Sequence, residues 1–125
     1  MRGLKSNVVL AVCSRCHLAD GSIVHIPMLD FRCKQSPVNQ QKVESSLRAV
    51  GQRRGYVLES GLSYHYYGHD LMGERSWIQF MGKCLLLSPL VDSRYIAHRL
   101  IDGACALRVN TSGRHPKHPT VVANL

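Results

Sequence analysis

Two sets of residues have types and spacings that can do chemistry. The first is Cys13-Ser14-Arg15-Cys16-His17, with His25 and Cys33 further on. Two thiols three apart with an adjacent imidazole form the string of covalent haem attachment; with Cys33 or His25 they approach a zinc ligand set. Haem attachment needs an export signal, which is not read here, and zinc needs a second tight pair. Free thiols are therefore the expectation, with no haem and zinc not expected. The second set is Asp30 and Arg32 in one extended run, and Ser60-Gly61 followed by Ser63-Tyr64-His65 in another. A carboxylate can hold a divalent cation. Serine, histidine and arginine can bind phosphate oxygens through hydrogen bonds and charge.

These residues depend on the elements that carry them. Residues 7–14 are a short apolar run that predicts a strand buried on both faces. Asp20-Gly21 predicts a tight hairpin turn, after which Ile23 to Phe31 resumes an extended pattern. Pro27 has no N–H for a ladder, so it implies an edge or a bulge. Alternation puts Asp30 and Arg32 on one face of that run.

Ser36-Pro37 opens a helix with Val43, Leu47 and Val50 on one side and Gly51 as its stop. Tyr56 to Glu59 and Ser63 to Tyr67 flank a turn and read as a second hairpin. Its second strand has Ser63, His65 and Tyr67 on one face and Tyr64 and Tyr66 on the other. A helix over about 73–87 carries Trp77, Ile78, Met81 and Leu85. A shorter one over 92–102 is capped by Asp92 or Ser93 and stopped by Gly103. Residues 104–110 read as a last core strand, and Val121-Val122-Ala123 can pair as an edge strand.

The expected architecture is α+β: an antiparallel or mixed sheet of two hairpins and a last strand, with helices packed on one face. The 125 residues suit one domain over 1–110 and a basic, Pro- and His-containing tail over 111–125. An apolar fraction of 45% supports a packed core, and no run is long enough for a membrane span. Five cysteines, an odd number, with no secretion signal predict a reducing, cytoplasmic setting.

Sixteen Lys and Arg against eight Asp and Glu give a net charge of +8, which favours polyanionic partners. Arg53-Arg54 and the group Arg94, His98 and Arg99 supply cations. Tyr64, Tyr66, Tyr67 and Tyr95 could stack bases between them.

An apolar strand ending in Asp30, a helix, and then Ser60-Gly61 and Ser63-Tyr64-His65 on a hairpin resemble the archaeo-eukaryotic primase superfamily, including its small prokaryotic primase-like members. In that family an acidic-x-acidic motif binds divalent metals. A small residue, any residue and a histidine contact the incoming nucleotide's phosphates, and a further acid completes the metal site. Leu29-Asp30-Phe31-Arg32 carries one acid, with Arg32 where the second would stand. Ser63-Tyr64-His65 matches the second motif. Ala106-Leu107-Arg108-Val109, with Lys117, resembles the basic strand and loop near the closing motif, and no acidic residue follows Asp102.

The resemblance implies a primase-like (RRM-like) core with Asp30 and His65 as catalytic residues and Asp30 as metal ligand. It implies nucleic-acid binding by Arg32, Arg53, Arg54, Ser63, Arg108 and Lys117. The expected partner is nucleic acid, as a single strand or nucleotide, together with other subunits of a nucleic-acid-processing complex and no membrane. One carboxylate cannot hold two ions about 3.5–4 Å apart. The first reading is thus an accessory, catalytically degenerate domain that binds phosphate. The alternatives are an active nucleotidyltransferase using Mg or Mn with Asp92 or Asp102 as second carboxylate, and a non-enzymatic protein-assembly module.

Overall fold

The structure, a computed structural model, describes residues 10–110 and 118–125. Four short strands come first: β1 (Ala11–Cys13), β2 (Arg15–His17), β3 (Ile23–His25) and β4 (Met28–Asp30). Helix α1 (Pro37–Ala49) leads to β5 (Gly55–Ser60) and β6 (Ser63–Gly68). Next come β7 (Met72–Gly73), α2 (Glu74–Cys84), α3 (Ser93–Asp102), β8 (Ala106–Arg108) and β9 (Thr120–Asn124). The fold is α+β and every strand pairing is antiparallel.

The helices begin and end where local chemistry dictates. Ser36 caps α1 by accepting the Asn39 N–H at 3.0 Å, and Pro37 follows where a missing N–H costs nothing. Val43, Leu47 and Val50 are all buried. Asp92 caps α3 by accepting the Arg94 N–H at 2.9 Å, and Gly103 ends it with φ of 77° in the left-handed region. In α2 the buried side is Trp77, Phe80, Met81 and Cys84. The expected stripe is therefore rotated: Ile78 and Leu85 are exposed, because α2 packs toward β3, β7 and α3.

The strands divide among three sheets where one was expected: β1–β8, β2–β3–β7 and β4–β6–β5–β9. The turn at Asp20-Gly21 joins β2 to β3, and Pro27 lies where the chain leaves that hairpin for β4 and a different sheet. The expected strand over 7–14, buried on both faces, is overturned. Its described residues form β1, exposed at all three positions and paired only with β8, followed by the buried Ser14. In the large sheet β9 takes the edge, pairing with β5 across a register shift at Val57/Leu58. Gly55 has no room for a side chain there, since a Cβ would lie 2.5 Å from the Tyr66 hydroxyl and the Tyr67 carbonyl.

Tyr64, Tyr66, Val57 and Leu29 share the inner face of the large sheet and are fully buried. The Tyr64 hydroxyl meets Ser36, so α1 begins on that face. Asp30 points from the other face.

A buried junction holds the three sheets together. Ser14 is fully buried between β1 and β2. Its N–H donates to the Cys105 carbonyl at 2.8 Å, its hydroxyl oxygen accepts the Cys105 N–H at 2.8 Å, and its carbonyl accepts the Ile26 N–H at 2.8 Å. The Ser14 Oγ also lies 3.4 Å from His25 Nδ1. His25 is fully buried, stacks on Trp77 with ring centroids 4.4 Å apart, and has Nε2 3.6 Å from the Glu74 carboxylate. Burial disfavours the charged ring and lowers its pKa against the opposing pull of Glu74, with nearby Arg15 lowering it further.

Two outcomes follow for stability. Trp77→Ala should remove about 3–5 kcal/mol by leaving a cavity against His25, measured by urea unfolding. His25 holds its proton less tightly folded than unfolded. Stability should therefore be full above about pH 6.5 and fall as pH drops below it. His25→Gln should flatten that part of the urea-midpoint profile; an unchanged slope would assign the loss to other histidines.

Candidate functional site

Asp30 and His65 are direct cross-strand partners on β4 and β6, and their side chains project from one face. His65 Nε2 lies 3.4 Å from Asp30 Oδ1. The ring is buried, and its Nδ1 is shielded from solvent without a hydrogen-bond partner among the described residues. Asp30 stays almost half exposed at 46% of its side chain, so the pair sits at a surface opening.

That opening is a cleft of about 280 Å³ lined by Asp30, the turn from Ser60 to Ser63, His65, and Ala106 to Arg108 of β8. Arg108 is buried at its side, with one guanidinium nitrogen donating to Ser60 Oγ at 3.2 Å and another to the Asn110 carbonyl. The β5–β6 hairpin, β4 and β8 therefore bring a carboxylate, an imidazole, a guanidinium and two hydroxyls around one space.

The segment between β4 and α1 braces the hairpin turn. Ser63 Oγ accepts the Cys33 N–H at 2.9 Å, which uses a lone pair and leaves its O–H able to donate. The Gln35 side-chain amide donates to the Gly61 carbonyl at 3.1 Å and the Ser63 carbonyl at 2.9 Å. The Tyr64 hydroxyl accepts the Ser36 N–H at 2.9 Å and donates to the Ser36 carbonyl at 3.1 Å.

Other candidates stand elsewhere. Arg32 turns to Asp92, donating at 2.9 Å, and does not line the cleft. Asp92 is also met by Arg94, whose backbone and side-chain N–H groups hold its carboxyl below the usual range. Asp102 pairs with Arg99 at 2.9 Å. Neither Asp92 nor Asp102 lines the cleft beside Asp30. Arg53 and Arg54 lie beyond the Gly55 end of β5, a strand's length from the Ser60 turn, and Arg54 donates to Asp70 at 2.5 Å. Lys117 lies outside the described residues.

The tyrosines proposed for stacking are mostly spent inside. Tyr64 and Tyr66 are fully buried, burial pushes the Tyr66 hydroxyl pKa up, and Tyr95 is partly buried against the core. The exposed ring is Tyr56, at 41%, in edge contact with His69. Period-2 counting along β5 could have found it, because Tyr56 alternates with buried Val57.

Among the described residues no three His, Cys, Asp or Glu side chains group closely enough to hold a metal ion. Cys13, Cys16 and Cys33 are free thiols, and burial raises Cys84 to about 12 and Cys105 to about 11. No helix of the described residues is long and apolar enough to cross a membrane.

Residues 1–120 match the archaeo-eukaryotic primase 1D-like family, nearly the whole chain. The chain belongs to that family. No curated protein and no solved structure matches it. Within this primase-like domain, the two residues that carried the resemblance, Asp30 and His65, are neighbours on the sheet and share one cleft with Arg108.

The bracing of the hairpin has a measurable consequence. Tyr64→Phe leaves the Ser36 N–H and carbonyl without their buried partner. It should cost about 1–3 kcal/mol in urea unfolding with the fold retained; an unchanged midpoint would mean that water replaces the hydroxyl.

Proposed function

We propose that this primase-like domain binds the phosphate of a nucleotide or nucleic-acid strand in the Asp30–His65–Arg108 cleft. In this reading it serves nucleic-acid processing as an accessory, catalytically degenerate module. The observation that carries the reading is the convergence of Arg108, His65 and the Ser60 and Ser63 hydroxyls on one opening beside a single carboxylate. A guanidinium supplies charge-assisted donors to phosphate oxygens, and the Ser63 O–H adds a neutral one. Asp30 would repel an anion; the imidazole of His65, 3.4 Å away, can donate a hydrogen bond to that carboxylate through Nε2.

The donor set does not fit the two-metal chemistry of the family's active members. Asp30 is the one carboxylate among the described residues lining the cleft, and Asp92 is committed to Arg32, Arg94 and the α3 cap. Two cations with one shared carboxylate would lack the anionic ligands that hold them in register. The side chains present therefore suit binding and orienting a phosphate.

Titration with a labelled nucleoside triphosphate tests this. Binding should weaken steeply as salt rises. His65→Ala and Arg108→Lys should each lower affinity about tenfold, read under conditions where circular dichroism shows the domain still folded, since both side chains are buried and their loss also lowers the unfolding midpoint. Binding indifferent to salt and to both substitutions would favour the assembly-module reading. Nucleotide incorporation on a primed template with Mg or Mn, abolished by Asp30→Asn, would replace the accessory reading with an active nucleotidyltransferase.

A further inference from the structure

A second opening lies between α1 and the segment that follows α2. It is a groove of about 710 Å³ with Val38, Lys42 and Ser45 of α1 on one side and Leu86, Leu87 and Leu90 on the other. None of the residues that line it lines the Asp30–His65–Arg108 cleft. Its apolar walls are uncovered: Val38 is 62% and Leu86 83% exposed, and adjacent Leu85 is exposed as well. Single exposed leucines are ordinary, but apolar side chains gathered around one groove mark an interaction surface.

The backbone that builds the groove is already satisfied. Helix α1 bonds within itself, Ser88 N–H donates to the Leu85 carbonyl at 3.3 Å, and Leu90 N–H donates to the Leu87 carbonyl at 2.8 Å. The Leu90 carbonyl accepts the Arg32 N–H at 2.8 Å, which fixes that wall to the chain leaving β4. Such a surface offers side chains and no strand edge. An extended peptide would find no ladder of backbone partners here. A helix satisfies its own backbone and needs only to bury an apolar face.

Charge narrows the occupant further. Lys42 is part of the lining and Lys83 stands three residues before Leu86; both are exposed. Neither makes an ion pair among the described residues. No carboxylate among the described residues lines the groove, and Glu44, the one acid of α1, lines a separate polar pocket with Glu59. A second copy on this face would bring the lysines of both copies together with no carboxylate in the groove to offset them. A partner carrying carboxylates complements them.

We infer that this groove docks an amphipathic, acidic helix of another protein, with leucine-like side chains entering between Val38 and Leu86 and carboxylates meeting Lys42 and Lys83. The inference does not rest on the cleft reading. It goes beyond it by giving the domain a surface through which a partner can hold it while the cleft stays open.

The test titrates the full chain with a labelled synthetic helix-forming peptide that has leucines on one face and glutamates on the other. One control peptide has lysines for the glutamates; a second has the acidic composition scrambled so that no apolar face forms. The acidic amphipathic peptide should bind about tenfold more tightly than either control. Leu86→Ser, Val38→Ser and Lys42→Gln should each lower its affinity about tenfold. Both serine variants should leave binding of a labelled nucleoside triphosphate unchanged. Ile101→Ser, at an 80% exposed position on α3, should change neither. Thermal midpoints confirm folding, and all four substituted side chains are exposed. No binding of the acidic peptide, equal binding of the scrambled one, or binding indifferent to Leu86→Ser would leave only general attraction to a +8 chain and overturn the inference. A halved sedimentation mass on Leu86→Ser would put a second copy in the groove, and loss of oligothymidylate binding on Leu86→Ser would put nucleic acid there; either result overturns it too.

Discussion

The Ser14 backbone and hydroxyl are the structural constraint on which the other parts depend. One fully buried residue satisfies both polar groups of Cys105 and the Ile26 N–H, and it contacts His25. Through those bonds β1 is held to β8, β2 to β3, and the chain is turned toward β4. Leaving any of these buried groups unpaired would cost about 1–3 kcal/mol. A serine suits the position because its hydroxyl can accept from Cys105 and still donate to His25 Nδ1. His25 then passes the constraint to α2 through its stack on Trp77 and its approach to Glu74.

The cleft is a consequence of that junction. Cys105 anchors the start of β8, which sets where Arg108 reaches, and Ile26 starts the chain toward β4, which sets where Asp30 stands. The hairpin carrying His65 is then aligned by six paired positions with β5 and three with β4. Its turn is braced from the far side by Cys33, Gln35 and Ser36. A site spread over three elements is rigid here because each element is fixed by backbone hydrogen bonds near the functional residue. The same packing explains the charge pattern. Arg32, Arg54, Arg94 and Arg99 are drawn to carboxylates, so the basic surplus acts at fewer places than the sequence count suggests.

Much of this was legible along the chain. Ser36-Pro37 and Asp92 mark helix starts, and Gly51 and Gly103 mark stops, because capping depends on groups within a few residues. The alternation of β6 separated Tyr64 and Tyr66 from Ser63 and His65, since a strand's two faces follow from period two alone, and the structure shows that the tyrosine face is the buried one. The small-x-His triplet and the strand ending in Asp30 pointed to the family that residues 1–120 match.

The rest needed three dimensions. Which strand edge meets which is decided between backbone groups that are the same in every residue, so β1's choice of β8 over the following hairpin left no local mark. Ser14 and Cys105 stand 91 residues apart, and their bonds exist only once the sheets have assembled. The rotation of α2 that buries Phe80 and exposes Ile78 was set by what packs against it, and helical spacing permits either stripe. The fate of each arginine depended on a carboxylate brought up by folding, as Asp92 is to Arg32 across 60 residues. Local sequence therefore determined the helix limits, the strand faces and the residue types available for phosphate. Tertiary structure decided which of them share a cleft, because long-range pairing and charge neutralisation are properties of the assembled chain.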